Sequence, residues 1–380
     1  MTESALRRRA KEARLWLTES CFPLWAEHGV SRAGLFPEVL SLDHDTLDRE
    51  TTRVRVQARQ TYVFSEAWRL GWKRDLSARL AGNGVATLTG PALTASGLPG
   101  KALAADGSGL VDASADLYDT AFVLFALAEA ARGPGPAGEA LEAARRILGA
   151  LDTTVRDTVH GGYAEALPPP PARLQNPHMH LLEACLSLHR ADRDGGHLQR
   201  AGALIDLFET KLTAGEGGLL GEVFKPDWST PDGDAARIVE PGHQFEWVWL
   251  LHTWSRLAQK PLPEAATRLY NFAVSTLDAS GRACQEVTRD GAPHDTSSRT
   301  WPQTEALKAH LAMYEHTGAE RYMTAACRAV DVLMDTFLTE DGGWIDHFAA
   351  DGAVLAKDMP ASTGYHVVLA FAELIRVMDA

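Results

Sequence analysis

An apolar helical pattern recurs in this chain about every sixty residues, and each recurrence carries a polar or ionisable group at the same point. The positions are Arg59, Tyr118, His180, His243, Glu305 and His366, at steps of 59, 62, 63, 62 and 61. A fixed period is the mark of a repeat architecture, in which each unit buries its apolar face against its neighbours. Six units that deliver one polar side chain each to a common level predict a closed ring with a site on its axis.

Twelve helical segments are expected, at about 5–29, 50–72, 75–88, 116–132, 136–152, 175–191, 196–213, 241–258, 263–279, 302–317, 319–337 and 362–378. They are of two kinds. The segments Ala121-Phe-Val-Leu-Phe-Ala-Leu-Ala and Phe245-Glu-Trp-Val-Trp-Leu-Leu are apolar on nearly every side, and a helix apolar all round is buried all round. Their partners are amphipathic. In 136–152, Ala140, Leu141, Ala144, Ile147, Leu148 and Leu151 make one face, and Glu139, Glu142, Arg145, Arg146 and Asp152 the other. Buried helices alternating with half-exposed ones predict an all-α (α/α)6 barrel, six helical hairpins in two concentric rings. No polar end caps of a solenoid are visible. Gly82 and Gly84 interrupt the third segment and weaken it.

Glycine turns followed by short runs ending in an acid precede several inner helices: Gly161-Gly-Tyr-Ala-Glu, Gly217-Gly-Leu-Leu-Gly-Glu, Gly281-Arg-Ala-Cys-Gln-Glu and Gly342-Gly-Trp-Ile-Asp. They read as short β-hairpins at one mouth of the barrel. The stretch 89–115 has no helical period and reads as a lid or rim loop. The Pro/Gly/Ala stretches at 133–138 and 167–172 are too short to be linkers, so residues 1–380 are read as one domain.

Composition excludes several functions. A net charge of −13 argues against nucleic acid, whose phosphates require basic patches. The longest apolar run, Ala121–Ala128, is too short to span a bilayer. The charged amphipathic N-terminus does not read as a signal peptide. Cys21, Cys185, Cys284 and Cys327 are scattered without paired spacing, which fits a reduced, cytoplasmic setting. No GxSxG elbow, P-loop or dinucleotide fingerprint is present.

His243 and His366 each fall just inside the start of an inner helix, where the positive end of the dipole disfavours imidazolium. Both are therefore expected to stay neutral near pH 7 and to accept protons. Glu246, one turn after His243, is placed to orient that imidazole or to hold a hydroxyl. Arg59 lies in an apolar helix and must pair with an acid or an anion-like ligand oxygen. Asn176 stands where it could cap its helix or bind a ligand. His180 holds the repeat position, whereas His178 faces elsewhere. Trp301 and Trp344 are candidate sugar platforms or core filler. A metal set drawn from His178, His180, Glu183, His243 and Glu246 is disfavoured by the spacing of the histidine pair. A paired-carboxylate glycosidase drawing on Asp119, Glu246, Glu305 and Asp346 is the other enzyme class the residues allow.

Six runs, in this order and spacing, resemble the N-acylglucosamine 2-epimerase superfamily, which also holds cellobiose 2-epimerases, mannose isomerases and sulfoquinovose isomerase. They are Val56-Gln-Ala-Arg59-Gln, Leu117-Tyr118-Asp119-Thr-Ala-Phe, Asn176-Pro-His-Met-His180-Leu-Leu-Glu, Pro241-Gly-His243-Gln-Phe-Glu246-Trp, Arg299-Thr-Trp301-Pro-Gln-Thr-Glu305 and Pro360-Ala-Ser-Thr-Gly-Tyr365-His366. The resemblance implies an (α/α)6 barrel that works without metal or cofactor. It implies His243 and His366 as the acid–base pair, Arg59 as the sugar-binding arginine, and Asn176, His180 and Glu246 as binding residues. The wording is most similar to the mannose isomerase branch, and Pro302 stands where cellobiose epimerases carry a second tryptophan. The implied activity is interconversion of D-mannose and D-fructose through a cis-enediol(ate). The alternatives are a sugar 2-epimerase of the mannose, N-acylglucosamine or cellobiose type, and an (α/α)6 glycoside hydrolase. The partner is then a small monosaccharide, with neither nucleic acid nor membrane, and the state a monomer or a homodimer.

Overall fold

The computed structural model describes residues 2–47 and 49–379. The outer limits of the single-domain reading, Met1 and Ala380, lie outside the described residues. Six helices form the inner ring: α3 (Val54–Arg69), α5 (Leu117–Ala131), α7 (Gln175–Ala191), α9 (Pro241–Ala258), α11 (Thr300–Thr317) and α13 (Thr363–Asp379). The outer ring holds α1 (Thr2–Trp16), which runs through a π-turn at Leu17–Cys21 into α2 (Phe22–Glu27), then α4 (Arg74–Thr89), α6 (Ala137–Thr154), α8 (His197–Leu207), α10 (Glu264–Ser275) and α12 (Glu320–Val332). Each inner helix packs on the next, and α13 packs back on α3, which closes the ring. The outer helices α4, α6, α8, α10 and α12 each lie on the inner helix before them, and α1 covers α13. The expected (α/α)6 barrel is the observed one.

Burial explains the sorting. Every residue of α5 from Asp119 to Ala130 is buried, whereas α6 buries one stripe, from Ala140 to Leu151. Each fully buried Leu or Phe contributes about 1.5–3 kcal/mol, so the all-apolar helix goes inside and the striped helix covers it. The side chain of Asp116 caps α5, accepting from the Asp119 amide at 2.7 Å. A left-handed Gly318 ends α11. No described helix is long and apolar enough to cross a membrane.

Two expectations about local structure change. Helix α4 runs unbroken through Gly82 and Gly84. A Cβ on Gly84 would meet Thr61 Oγ1 at 1.9 Å, so this glycine is a close-approach point between α3 and α4 and not a break. The stretch 89–115 is not structureless. Ala102–Ala104 pairs with Leu110–Asp112 in a hairpin and with Thr51–Arg53 on its other side. These strands are only three residues long, too short for an alternation to show.

The extended runs do gather at the end of the barrel where the inner helices begin. Glu286–Thr288 and Pro293–Asp295 form a hairpin. The other pairings mostly link one repeat to the next: Arg173–Leu174 with Val223–Phe224, Ile238–Val239 with Glu286–Thr288, and Ser298–Arg299 with His347–Phe348. Val39–Leu40 pairs with Met359–Pro360, which joins the first and last repeats at this mouth. Such cross-links hold neighbouring inner-helix N-termini in register, which positions the site.

Candidate active site

His366, on the first turn of α13, is buried, and its Nδ1 lies 2.9 Å from Glu305 Oε1 on α11. The other oxygen of Glu305 is 2.6 Å from the Lys308 ammonium, one turn along α11, and both of those side chains are fully buried. Burial raises Glu305, with Lys308 opposing it. Burial also lowers Lys308, but Glu305 and Glu246 override it and keep the ammonium charged. With a cation on its far oxygen, Glu305 is the natural acceptor of Nδ1–H, which leaves His366 Nε2 as the lone-pair nitrogen. Burial pushes the His366 imidazole well below its usual range, and Arg59, Lys308 and His180 add to the shift. This imidazole is held neutral near pH 7, the state expected, with burial and not the helix dipole as the main cause.

His243 departs from the expectation. Burial disfavours its charge, yet the Glu222 and Glu240 carboxylates, at 2.8 and 3.7 Å from Nδ1, outweigh burial and raise it to about 10. It is an imidazolium near pH 7, and the helix dipole is the weaker influence. Two acids within ion-pair distance are worth more than a partial charge at a helix end. The partner of its ring is Glu222 and not Glu246, one turn below. Gly242 makes room for the neighbour of His243: a Cβ there would stand 2.5 Å from the Trp301 ring. The Trp301 centroid is 4.9 Å from that of His243 and 6.0 Å from that of His366. One half-buried indole therefore lies beside both a protonated imidazole and a neutral one.

The Arg59 guanidinium donates to Tyr118 Oη at 2.8 Å and to the Ser362 carbonyl at 3.1 Å. It lies 4.0 Å over the Phe122 ring and forms no ion pair with a carboxylate among the described residues. The acid nearest in sequence to Tyr118, Asp119, is taken by Arg55 at 3.1 Å. His180 faces the same space, edge-on to Tyr118, with Nδ1 3.0 Å from Glu183 Oε2. Tyr365 donates to Glu183 Oε1 at 2.5 Å. Burial raises Glu246 well above the usual carboxylate range, and Glu305 adds to the shift. Asn176 does not cap α7, whose N-cap position is Leu174. Arg59 Nε, Asn176 Oδ1 and Glu246 Oε1 are all buried with no hydrogen-bond partner in the protein.

Two residues belong elsewhere. Trp344 is 1% exposed and stacks on Trp25 at 4.8 Å with rings 9° apart. It is core between the first and last helical hairpins and offers no face to a sugar, a correction to its reading as a platform. His178 accepts from the Tyr163 amide and bonds the Leu174 carbonyl through Nδ1; burial pulls it down to about 4. It is a structural histidine. Two trios, His180–Glu183–Glu246 and Glu222–Glu240–His243, have donor atoms close enough to share a metal ion. In the first, both oxygens of Glu183 are already engaged by Tyr365 and His180.

Sequence reasoning missed Glu222 and Lys308 as working residues. Glu222 was visible as the acid ending the Gly217 run but was read only as hairpin. Lys308 carried a stronger signal, a cation one turn after Glu305 inside an apolar helix, where burial demands a partner.

A family model described as N-acylglucosamine 2-epimerase (GlcNAc 2-epimerase) matches residues 34–370. The chain is 34% identical over 371 residues to a mannose-6-phosphate isomerase of Rhizobium meliloti, covering 94% of this chain and 95% of that one. It is 30% identical over 269 residues to a D-mannose isomerase of Thermobifida fusca, covering 65% of each. Among solved structures, cellobiose 2-epimerase from Spirochaeta thermophila superposes with a TM-score of 0.87 at 26% identity, covering 98% of this chain and 97% of that chain. The match of model, sequence and fold along nearly the whole length means that the chain belongs to the N-acylglucosamine 2-epimerase family of sugar epimerases and isomerases.

Proposed function

We propose that this enzyme interconverts D-mannose and D-fructose through a cis-enediol(ate), with His366 as the base at C2 and His243 as the proton donor. The observation that carries the reading is the opposite displacement of the two imidazoles that both approach Trp301. Groups whose surroundings push their proton affinities apart are the acid and the base of a site. His366 Nε2 takes the C2 proton from the ring-opened sugar. The charge that develops on O1 and O2 meets Arg59, which has no carboxylate of its own, beside Glu246, whose affinity for a proton is raised by burial. Preorganised donors of this kind contribute most where charge develops during reaction. Protonation of O1 by His243, return of the proton to C1 and loss of the O2 proton back to His243 give the ketose. The sugar hydroxyls supply partners for Arg59 Nε, Asn176 Oδ1 and Glu246 Oε1, each of which is costly to bury alone.

Likeness to a mannose-6-phosphate isomerase and to a D-mannose isomerase supports the isomerase over the 2-epimerase. The rim supports an unphosphorylated sugar. Arg53, Arg55 and Arg299 there are paired with Glu38, Asp119 and Asp346, at 2.6, 3.1 and 2.6 Å, while Glu222 and Glu240 face His243. Asp119 and Asp346, engaged in these pairs, are poorly placed to act as the two carboxylates of a glycosidase.

The test is incubation with D-mannose in D₂O containing EDTA, followed by NMR. Fructose deuterated at C1 is expected. Glucose deuterated at C2 instead would make the enzyme an epimerase, and turnover of mannose 6-phosphate but not mannose would overturn the substrate. Loss of turnover in EDTA would overturn the metal-free chemistry.

The pH profile checks the assignment of roles. Activity requires His366 neutral and His243 charged. It should therefore persist below pH 6.5 and fall only as pH rises through about 10. In Glu222→Gln, the imidazolium loses its nearest carboxylate and the alkaline limb should move down by roughly 1–3 pH units. An unmoved limb would show that His243 is not the donor.

A further inference from the structure

At the end of the barrel away from the histidines, the inner helices finish around a cavity of about 460 Å³, within the size range of small-ligand sites. A second sixty-residue rhythm lines it. Arg69, Arg132, Arg190, Arg256 and Arg376 stand at the C-terminal ends of α3, α5, α7, α9 and α13. Cations there complement the negative ends of the helix dipoles, and most are also neutralised by acids. Glu66, Arg69, Glu129 and Arg132 form one alternating chain, with contacts of 2.5, 2.8 and 2.9 Å. Glu373, Arg376, Glu315 and Arg256 form a second, with contacts of 3.0, 2.6 and 2.9 Å. Each chain is balanced within itself.

Arg190 belongs to neither. It lines the cavity and feels the Glu373 and Glu129 carboxylates through space, but makes no hydrogen bond or ion pair among the described residues. A second group in the same cavity is also unmatched. Tyr62 is 1% exposed and its hydroxyl is buried with no partner in the protein. Burial, with Glu66 next, raises that phenol well above its usual range, so it stays an O–H donor. The two unmatched groups of this cavity are thus both donors, one of them charged. Their complement is a negatively charged acceptor. The floor beneath them, Phe125, Leu186, Leu250 and Leu369, is apolar and suits a short carbon skeleton.

We propose that this far-end cavity is a binding site for a small oxyanion, a carboxylate or a phosphate monoester, held by Arg190 and Tyr62. The site is separate from the sugar chemistry and stands or falls independently of it. Glu183 lines this cavity while its carboxylate engages Tyr365 and His180 on the other side, so it forms the wall between the two.

The experiment is isothermal titration calorimetry of the full chain at pH 7, without sugar, using inorganic phosphate and acetate as separate probes. Saturable one-site binding of at least one anion is expected, and the tighter of the two identifies the head group. Arg190→Gln should weaken it at least tenfold, and Tyr62→Phe by about 2–10-fold. Arg59→Met, which removes the cation at the opposite mouth, should leave it within twofold. Arg190 is exposed at a helix end, so its variant is expected to fold, which circular dichroism checks. The proposal is overturned if neither anion saturates at tens of millimolar, if Arg190→Gln binds as the parent does, or if Arg59→Met abolishes binding.

Discussion

Replacement of His366 by asparagine is expected to lower turnover of the sugar by about 10²–10⁴-fold, the usual contribution of a positioned general base, with no comparable loss of stability. The side chain is 7% exposed and makes one hydrogen bond, to Glu305. Asparagine can keep that bond, so the barrel loses little. What it cannot supply is a nitrogen lone pair directed at C2. The low proton affinity of His366 has a distinct consequence in the wild type. A base that burial, the Arg59 and Lys308 cations and the nearby His180 ring hold well below the usual histidine range remains competent at pH values where an ordinary histidine is half protonated. Deuterium exchange at C2 of mannose, followed by NMR, measures the step itself. If the variant exchanges that proton at close to the wild-type rate, His366 is not the base and the acid–base assignment must be reversed.

Lys308→Met is expected to destabilise the fold by about 3–5 kcal/mol, the range found when one partner of a buried ion pair is removed. The ammonium sits 4.1 Å from the Trp249 centroid and 2.6 Å from Glu305, within the electrostatic reach of Glu246, in a region with no solvent access. Methionine fills a similar volume but leaves two buried carboxyl groups facing each other without a cation. They must then take up protons or separate. Urea denaturation at pH 7 reads the loss directly. The double variant Lys308→Met/Glu305→Gln should regain most of it, because removing both charges removes the imbalance. A single-variant loss under about 1 kcal/mol would mean that the pair contributes little. Kinetics add a second readout. Glu305 freed from Lys308 no longer fixes the His366 tautomer, so kcat should fall more than KM rises.

The architecture was readable from sequence because it is a periodic property. The step of about sixty residues reported six repeats, and the contrast between Ala121–Ala128 and the striped segment 136–152 reported which helix of each pair goes inside. Both signals are local and additive along the chain. The site level was readable for the same reason, since each repeat delivers its residue at the same height. Where single residues decided the outcome, the reading was weaker. Gly84 looked like a break because its role depends on Thr61, more than twenty residues away. Trp344 looked like a platform because nothing nearby in sequence reveals that Trp25 covers it. The extended runs read as hairpins because pairing between repeats leaves no trace in a single run.

The sequence alone therefore determined the closed ring, the layer to which each helix belongs, and the residues that share the axial level. These follow from hydrophobic periodicity, which each segment carries by itself. Only the tertiary structure decided the state of those residues. His243 and His366 occupy matching helix starts and look alike as letters. One gathers Glu222 and Glu240 from neighbouring segments and is held protonated; the other lies among Arg59, Lys308 and His180 and is held neutral. Proton affinity depends on charges within a few ångströms and on the loss of water around them, and those neighbours are set by how the ring closes, not by their order along the chain.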